Sequence, residues 1–565
     1  MRQKTKHLLF ACFAFLSASI YPVAIIGNAK APKGGSLVIG TSAYPKSLFF
    51  YLAHDIPSFQ INGLILEPLI DMDLKTYEIV PALASSWAVS KDKKLFTFNL
   101  NKAAKFSDGK PVTAHDVKFT WDALLDTKNQ TQPFQSQLSS FESCTVIDTH
   151  TVQFKAKTLH FKNLEKFALV PLLILPKHFF SEGNFNKAFN NKLLGSGPYT
   201  LDEVKQGEKV SLKRNPNYWG ANLPQNVGRF NFDKIVYKTI GDLNVQLEIL
   251  KKGDIDFSLI MMAKMWETEM NDAVFEKKYI QKTRVETKQP SGLSGVTWNL
   301  RKPLFHDKRV RLALAHLMNR EKWMKELFYN SYKISSGVIG LTSEYHSPNV
   351  TGVPYDPKRA KALLKEAGWS DIDSDGVLKK ENARFEFDLL IDNPASQRWL
   401  TPYQEDLKTM GIKMNIRTVD WPTALKLTSD WQFDARLMAR TADVHPGDFA
   451  SLWGSKEADT KGSSNTPGYK NPEVDALATK IDETLEKAAR IPLVRKLDEI
   501  VSGDHPMAFT WESTHFRIAF WNKFSFPDKE GFPYSDYWNV YHYWWWDAEK
   551  DKKLKQARSE GVAIH

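Results

Sequence analysis

Lys105-Phe106-Ser107-Asp108-Gly109-Lys110-Pro111-Val112-Thr113-Ala114-His115-Asp116-Val117 closes the stretch, 67–125, whose reading decides the fold. Asp108-Gly109 supplies the positive-φ position of a tight turn. Thr113 is placed to cap a helix, with Asp116 three residues on completing a capping box. Val117, Trp121, Leu124 and Leu125 then form an apolar face at helical spacing. Upstream, Lys94-Leu95-Phe96-Thr97-Phe98-Asn99-Leu100 alternates apolar and polar residues, the pattern of a half-buried strand. Before it stand Glu67-Pro68-Leu69 and Pro81-Ala82-Leu83-Ala84-Ser85-Ser86-Trp87. The residues themselves predict strand, turn and capped helix, and they name no function.

As a string, the combination is more specific. A proline-led Leu-Ala-x-x-Trp, a Thr-Phe-x-Leu strand and a Phe-Ser-Asp-Gly-x-Pro-Val-Thr-Ala-x-Asp-Val turn resemble the extracellular solute-binding proteins of family 5, the peptide-binding components of ABC importers. Further on, Gly195-Ser196-Gly197-Pro198-Tyr199, Lys213-Arg214-Asn215-Pro216-Asn217-Tyr218-Trp219 and Leu250-Lys251-Lys252-Gly253-Asp254-Ile255-Asp256-Phe257 follow in the family's order. Read as residues, these are turns and packing positions. The run Pro303-Leu304-Phe305-His306-Asp307-Lys308-Arg309-Val310-Arg311 resembles the opening of the family's second lobe. Asn222-Leu223-Pro224, the spacing from Gly228 to Phe232, and His445-Pro446-Gly447-Asp448-Phe449 resemble the YejA-type branch, associated with oligopeptides and microcin C.

The resemblance runs from about Gly34 to Trp546. It implies an α/β, two-lobed periplasmic binding protein fold, hinged and of class II, with an extra subdomain in lobe I at about 67–185. Lobe I is expected over 30–290 and lobe II over 291–515, with a return to lobe I and a C-terminal tail over 516–565. The predicted elements agree with a mixed α/β chain. A helix is expected over 242–251 and another over 356–368, the second with Asp356 as N-cap, Pro357 at its first position and a glycine stop. Strands over 385–391 and 412–419 flank a helix near 401–410, a strand–helix–strand unit. Residues 472–500 read as helical with an interruption near Pro492, and 551–560 as a frayed polar end.

Composition bounds the function. At 565 residues, with 42% hydrophobic and 25% charged residues, the chain has length for several domains and ample core. The formal charge is +11, of which Arg2, Lys4 and Lys6 supply three, leaving +8 without them. Acids interleave with bases and no block of five or six like charges occurs, so a solvated surface is expected and no nucleic-acid partner. Residues 1–29 read as a secretory signal: a basic start, then a short apolar run from Leu8 to Ile20. Once Cys12 leaves with that signal, Cys144 stands alone, and neither a disulfide framework nor a thiolate metal site is available. A periplasmic, monomeric protein without cofactor is expected.

Candidate site residues come from the resemblance. Ala442-Asp443-Val444-His445-Pro446, with Thr441 just before it, is similar to the Ala-Asp segment that oligopeptide-binding relatives place in the cleft. There the aspartate meets the peptide's terminal ammonium and the preceding residues pair with its backbone as an added strand. Read alone, Asp443 caps the turn before Pro446. Arg440 stands where relatives commonly carry an aromatic; a guanidinium there grips a carboxylate or phosphate, or lies on the surface. Ala43 and Tyr44 match the segment of the opposing strand, or form an ordinary loop before Pro45. Trp511 is expected to wall a side-chain pocket, whereas core packing is expected for most of the other 16 tryptophans.

Asp371-Ile372-Asp373-Ser374-Asp375-Gly376 matches half of a calcium loop, but the twelfth position is Asn382 instead of glutamate. Catalytic signatures of the Gly-x-Ser-x-Gly, His-Glu-x-x-His and Gly-x-x-x-x-Gly-Lys kinds are absent from the sequence. The expected function is capture of an oligopeptide or peptide-like compound for ABC permease subunits, without chemistry. A sugar, opine or metal-chelate receptor of the same fold, and an exported hydrolase, are the alternatives.

Overall fold

The computed structural model describes residues 16–17, 25–53, 55–168, 172–181, 185, 192–290, 292–527 and 538–564. The expected leader over 1–29 therefore falls mostly outside the described residues. The chain forms two compact units. The first comprises the described residues of Met1–Asp256, Phe524–Pro527 and His542–Asp547; the second comprises those of Phe257–Lys523, Asp528–Tyr541 and Ala548–His565.

In the first unit the elements are β1 (Ser36–Thr41), α1 (Ile56–Ile65), β2 (Ala84–Val89), β3 (Leu95–Leu100), α2 (Ala114–Leu125), β4 (Phe141–Asp148), β5 (Thr151–Ala156), β6 (Tyr199–Lys205), β7 (Lys209–Arg214), β8 (Lys234–Thr239) and α3 (Leu243–Lys252). β1 pairs in parallel with β8, which continues antiparallel to β7 and then to β6. A second, antiparallel set runs in the order β2-β3-β5-β4. The alternation read in β3 sends Phe96, Phe98 and Leu100 inward, where Phe98 meets Phe167 at 4.8 Å and Phe154 at 5.9 Å. The capping box before α2 forms: Asp116 accepts from Thr113 N–H at 2.9 Å and from Thr113 Oγ1 at 2.7 Å. Val117, Trp121 and Leu124 are buried as the spacing predicted. Cys144 on β4 is buried, which pushes its thiol up to about 12. The predicted helix over 242–251 is α3, although Val245 is exposed and Gln246 takes the buried position beside Leu247.

In the second unit the elements are β9 (Phe257–Leu259), β10 (Ile280–Glu286), β11 (Leu293–Trp298), α4 (Lys308–His316), α5 (Pro357–Glu366), β12 (Glu386–Ile391), α6 (Gln397–Thr409), β13 (Lys413–Thr418), α7 (Trp421–Ser429), β14 (Ala435–Arg440), α8 (Pro472–Glu483), α9 (Lys487–Gly503), β15 (Met507–Phe509), β16 (Trp511–Glu512), β17 (His515–Trp521) and α10 (Ala548–Glu560). β10, β17 and β9 are antiparallel neighbours in that order. A five-stranded sheet runs β13-β12-β14-β11-β15. Its core gathers Trp298, Phe305, Leu314, Trp323, Phe387 and Tyr403. The predicted strand–helix–strand unit is β12-α6-β13, with the two strands parallel. Asp356 caps α5 through Arg359 N–H, and Gly368 turns the chain out at φ +89°.

Three expectations need correction. The interruption in 472–500 lies at 484–486, between α8 and α9, and Pro492 sits inside α9. Arg490 takes the carbonyls of Thr484 and Leu485 there, each at 2.9 Å, which satisfies the break. Pro492, in the second turn of α9, removes the one helical N–H that would meet the Ala488 carbonyl, and the helix continues past it. The polar end over 551–560 is not frayed but forms α10. Its Asp551, Leu554 and Ala557 are buried, and Tyr279 donates to the carbonyls of Ala557 and Val562 at 2.9 and 2.8 Å. A stripe that narrow carries little periodic signal, so the long-range contact decides it. The third is the helix near 401–410, which begins a turn earlier, at Gln397. The calcium-like loop is a hairpin turn between β-residues 371–372 and 378–380, and Arg384 pairs with Asp373 at 2.7 Å and Asp375 at 2.9 Å. No helix among the described residues is long and apolar enough to cross a membrane.

Candidate ligand-binding site

In the five-stranded sheet, β12 and β14 run parallel and end on the same side, where antiparallel β11 begins. In open α/β sheets that side is where ligands gather. β12 accompanies β14 only at Ala435 and Arg436, whereas β11 pairs with it along its whole length, up to Leu293↔Arg440. Among the described residues, 437–440 therefore have a strand neighbour on one side alone. Thr510 N–H reaches Ser294 O at 2.9 Å, so Ser294 bonds toward β15 and its neighbours Leu293 and Gly295 bond toward β14. By the alternation of an antiparallel ladder, Leu437 and Ala439 then aim N–H and C=O away from β11. Ala439 is exposed, and three cavities, of about 650, 580 and 230 Å³, meet at it. Gly292 permits the close approach beside this edge: at φ +98°, a Cβ would lie 2.0 Å from Arg440 O.

The 580 Å³ cavity brings together Arg440, Thr441, Ala442, Asp443 and His445. Thr441 and Asp443 are exposed, and Asp443 Oδ1 accepts from the adjacent Val444 N–H at 2.7 Å. Arg440 is half-buried and tethered, not free on the surface: Nη2 donates to Ser464 O at 2.5 Å and Thr466 Oγ1 at 3.0 Å. Its Nη1 is buried with no partner among the described residues. Burial, and then Arg436, lower this guanidinium to about 10.

The opposite wall is 338–345, a stretch without helix or strand that the sequence did not flag. Carboxylates hold it. Fully buried Asp498 accepts from the N–H groups of Val338 at 3.1 Å, Ile339 at 3.3 Å and Ser347 at 3.0 Å. Glu512 accepts from Leu341 N–H at 2.8 Å.

Trp511 does line a cavity wall, in the 650 and 230 Å³ spaces. It rests on Phe328 at 4.4 Å and Trp399 at 4.9 Å between ring centroids. Trp399, Trp421, Trp431 and Arg436 share the larger space and were not singled out from sequence; they stand on elements far apart in the chain. Ala43 and Tyr44 belong to the first unit, on the loop after β1. Ala43 is exposed, and Tyr44 donates to Gln206 Oε1 at 3.4 Å, with burial raising its phenol.

Comparison with known proteins gives concordant matches. The family model described as bacterial extracellular solute-binding proteins, family 5 middle, matches residues 78–461. The uncharacterized protein YejA of Escherichia coli strain K12 is 27% identical over 575 residues, covering 94% of this chain and 92% of that one. The probable peptide-binding protein YejA of Agrobacterium fabrum is 28% identical over 564 residues, covering 90% of each. Among solved structures, the oligopeptide-binding protein AppA of Bacillus subtilis in complex with a nonapeptide superposes with a TM-score of 0.73 at 26% identity, covering 92% of this chain and 100% of that one.

Proposed function

Because the chain belongs to the bacterial extracellular solute-binding proteins of family 5, we propose that it is the periplasmic receptor of an ABC importer, capturing oligopeptides or peptide-like compounds and handing them intact to the permease. One observation carries the reading: the open edge of β14 at 437–440, flanked by cavities. A main-chain edge bonds any extended peptide regardless of sequence, and alternate side chains find the flanking spaces. The names of the Agrobacterium relative and of the Bacillus structure support a peptide. A sugar or metal chelate would not use a strand edge.

Asp443, exposed just past that edge, receives the peptide's terminal ammonium, an interaction strengthened as water leaves. Thr441 and Ala442 continue the main-chain pairing, and His445 borders the same space. Arg440 acts through its tether to the loop at 464–466, which sets the edge's end. Ala43 and Tyr44 are also taken as ligand-binding residues, and Trp511 walls a side-chain space. The receptor works as a monomer, exported by its N-terminal signal, and binds no nucleic acid. Binding a transported solute requires no reacting group, in keeping with the lack of a catalytic signature in the sequence.

The test is to purify the mature chain without denaturation and identify by mass spectrometry what is released on unfolding. Short peptides should also raise its melting temperature, as any ligand of the folded state alone must; at a hundred times Kd the gain is about 2.7 kcal/mol. Recovered peptides, with stabilisation weakened in Asp443→Ala, are the expected result. A sugar or a metal chelate in their place would sink the peptide reading and leave the family intact. Cleaved peptides would indicate a hydrolase.

A further inference from the structure

The 650 Å³ cavity on the far side of Ala439 differs from its neighbour in chemistry. Four indoles, Trp399, Trp421, Trp431 and Trp511, stand in its walls. Trp421 is 58% exposed, a large apolar face left in water at the first position of α7. Trp431 ends the same helix at φ +62°, in the left-handed region that favours glycine at this stop. Trp431 N–H reaches Thr428 O and Gln432 N–H reaches Leu427 O, the bonds of an ordinary helix terminus. A glycine would make them without strain. The indole is kept there between the Arg301 guanidinium, 4.6 Å from its ring centroid, and Lys461 Nζ at 5.8 Å. Strain retained in a cavity wall, and stabilised by charged neighbours, is the signature of a used surface.

The charges define the occupant. An empty box of aromatic faces would attract a cation. Here two of the four rings already carry the protein's own cations: Arg301 and Lys461 on Trp431, and Arg436 at 5.5 Å from Trp421. Arg436 is buried, donates to Asp392 at 3.0 Å and to Thr428 Oγ1 at 2.5 Å, and so adds a neutral pair at the wall. An incoming ammonium or guanidinium would meet like charge, whereas a neutral ring would find indole edges and faces. Leu437 and Ala439 on the open strand edge line the same space, so an extended chain paired there would direct one side chain into it.

We propose that this chamber is a specificity pocket that takes one aromatic side chain of a bound peptide and rejects lysine and arginine at that position. The inference rests on the peptide reading above and adds to it the residue class selected. Calorimetric titration of the full mature chain with short alanine-based peptides, carrying tyrosine, phenylalanine or lysine at each position in turn, tests it. At one position the aromatic peptides should bind about tenfold more tightly than the all-alanine peptide, and the lysine peptide more weakly. Trp421→Ala and Trp431→Gly should each cut that aromatic-to-alanine ratio severalfold. Trp421 is exposed, so its variant keeps the test independent of folding. Equal affinity for all peptides, a preference for lysine, or a ratio unchanged in both variants would overturn the pocket while leaving the peptide receptor standing. Absence of binding by every peptide would overturn both.

Discussion

Asp498 holds Val338: a carboxylate with no exposed surface accepts the Val338 N–H at 3.1 Å, across 160 residues of sequence. The same side chain also accepts from Ile339, Ser347 and Ser502 Oγ, so one anion on α9 substitutes for the secondary structure that 338–347 lacks. Asp498→Ala strands the buried N–H groups of Ile339 and Ser347, each costing about 1–3 kcal/mol, while Val338 N–H keeps Ser502 Oγ at 3.0 Å. We expect a loss of several kcal/mol in urea unfolding, with proteolytic nicking in the loop under native conditions. A variant as stable as the parent would show that the loop holds itself.

Glu512 makes stability depend on pH. Burial pushes its carboxyl up to about 7 from an ordinary 4.5, while the Leu341 N–H and then His346 draw it down. The folded chain thus keeps this proton through a range in which the unfolded chain has released it. Its contribution is fully present below about 4.5 and is lost as pH rises through about 7. Glu512→Gln removes the titration and keeps an acceptor for Leu341 N–H. The parent's stability relative to this variant should therefore fall between those values; a flat difference curve would refute the shift.

Asp116 binds three groups at once, Thr113 N–H, Thr113 Oγ1 and Lys177 N–H, the last at 2.8 Å. Asp116→Ala should cost about 1–2 kcal/mol, more than a solvent-exposed cap because the site is buried. Asp116→Asn should recover part of it. Chemical denaturation of the two variants measures both.

Tyr279→Phe tests the C-terminal helix. Its hydroxyl is the donor to two carbonyls at the end of α10, and both would be left to water. Hydrogen exchange across 548–560 should quicken by about a factor of five, with little change in α2, because the loss is about 1 kcal/mol and local.

Trp431→Gly should leave overall stability nearly unchanged. Relief of the left-handed conformation, about 1 kcal/mol, opposes the loss of the Arg301 stacking, of similar size. A large destabilisation would place Trp431 in the packing of the unit, not at a tolerated strain.

Local signals survive in sequence because a few adjacent residues decide them. The Asp108-Gly109 turn, the Thr113–Asp116 box, the alternation in β3 and the proline-led, glycine-stopped α5 are all of this kind. They suffice for the α/β character, and as strings they carry the family resemblance that the match over 78–461 bears out. Residues 440–443 and 445 line one cavity largely because they are contiguous. What tertiary structure alone decided is non-local. Helix α10 exists because Tyr279 and the ring of Trp521, 4.6 Å from Arg558, dock it. Arg440 is a tether because a loop some 25 residues away brings Ser464 and Thr466 to it. The open edge at Ala439 arises from where β12 stops pairing with β14, which is a matter of register and not of composition. The four indoles, spread from 399 to 511, are brought to one cavity by the tertiary fold alone. Short-range periodicity fixes φ and ψ and the buried face, whereas a binding surface is made by distances between segments that periodicity does not encode.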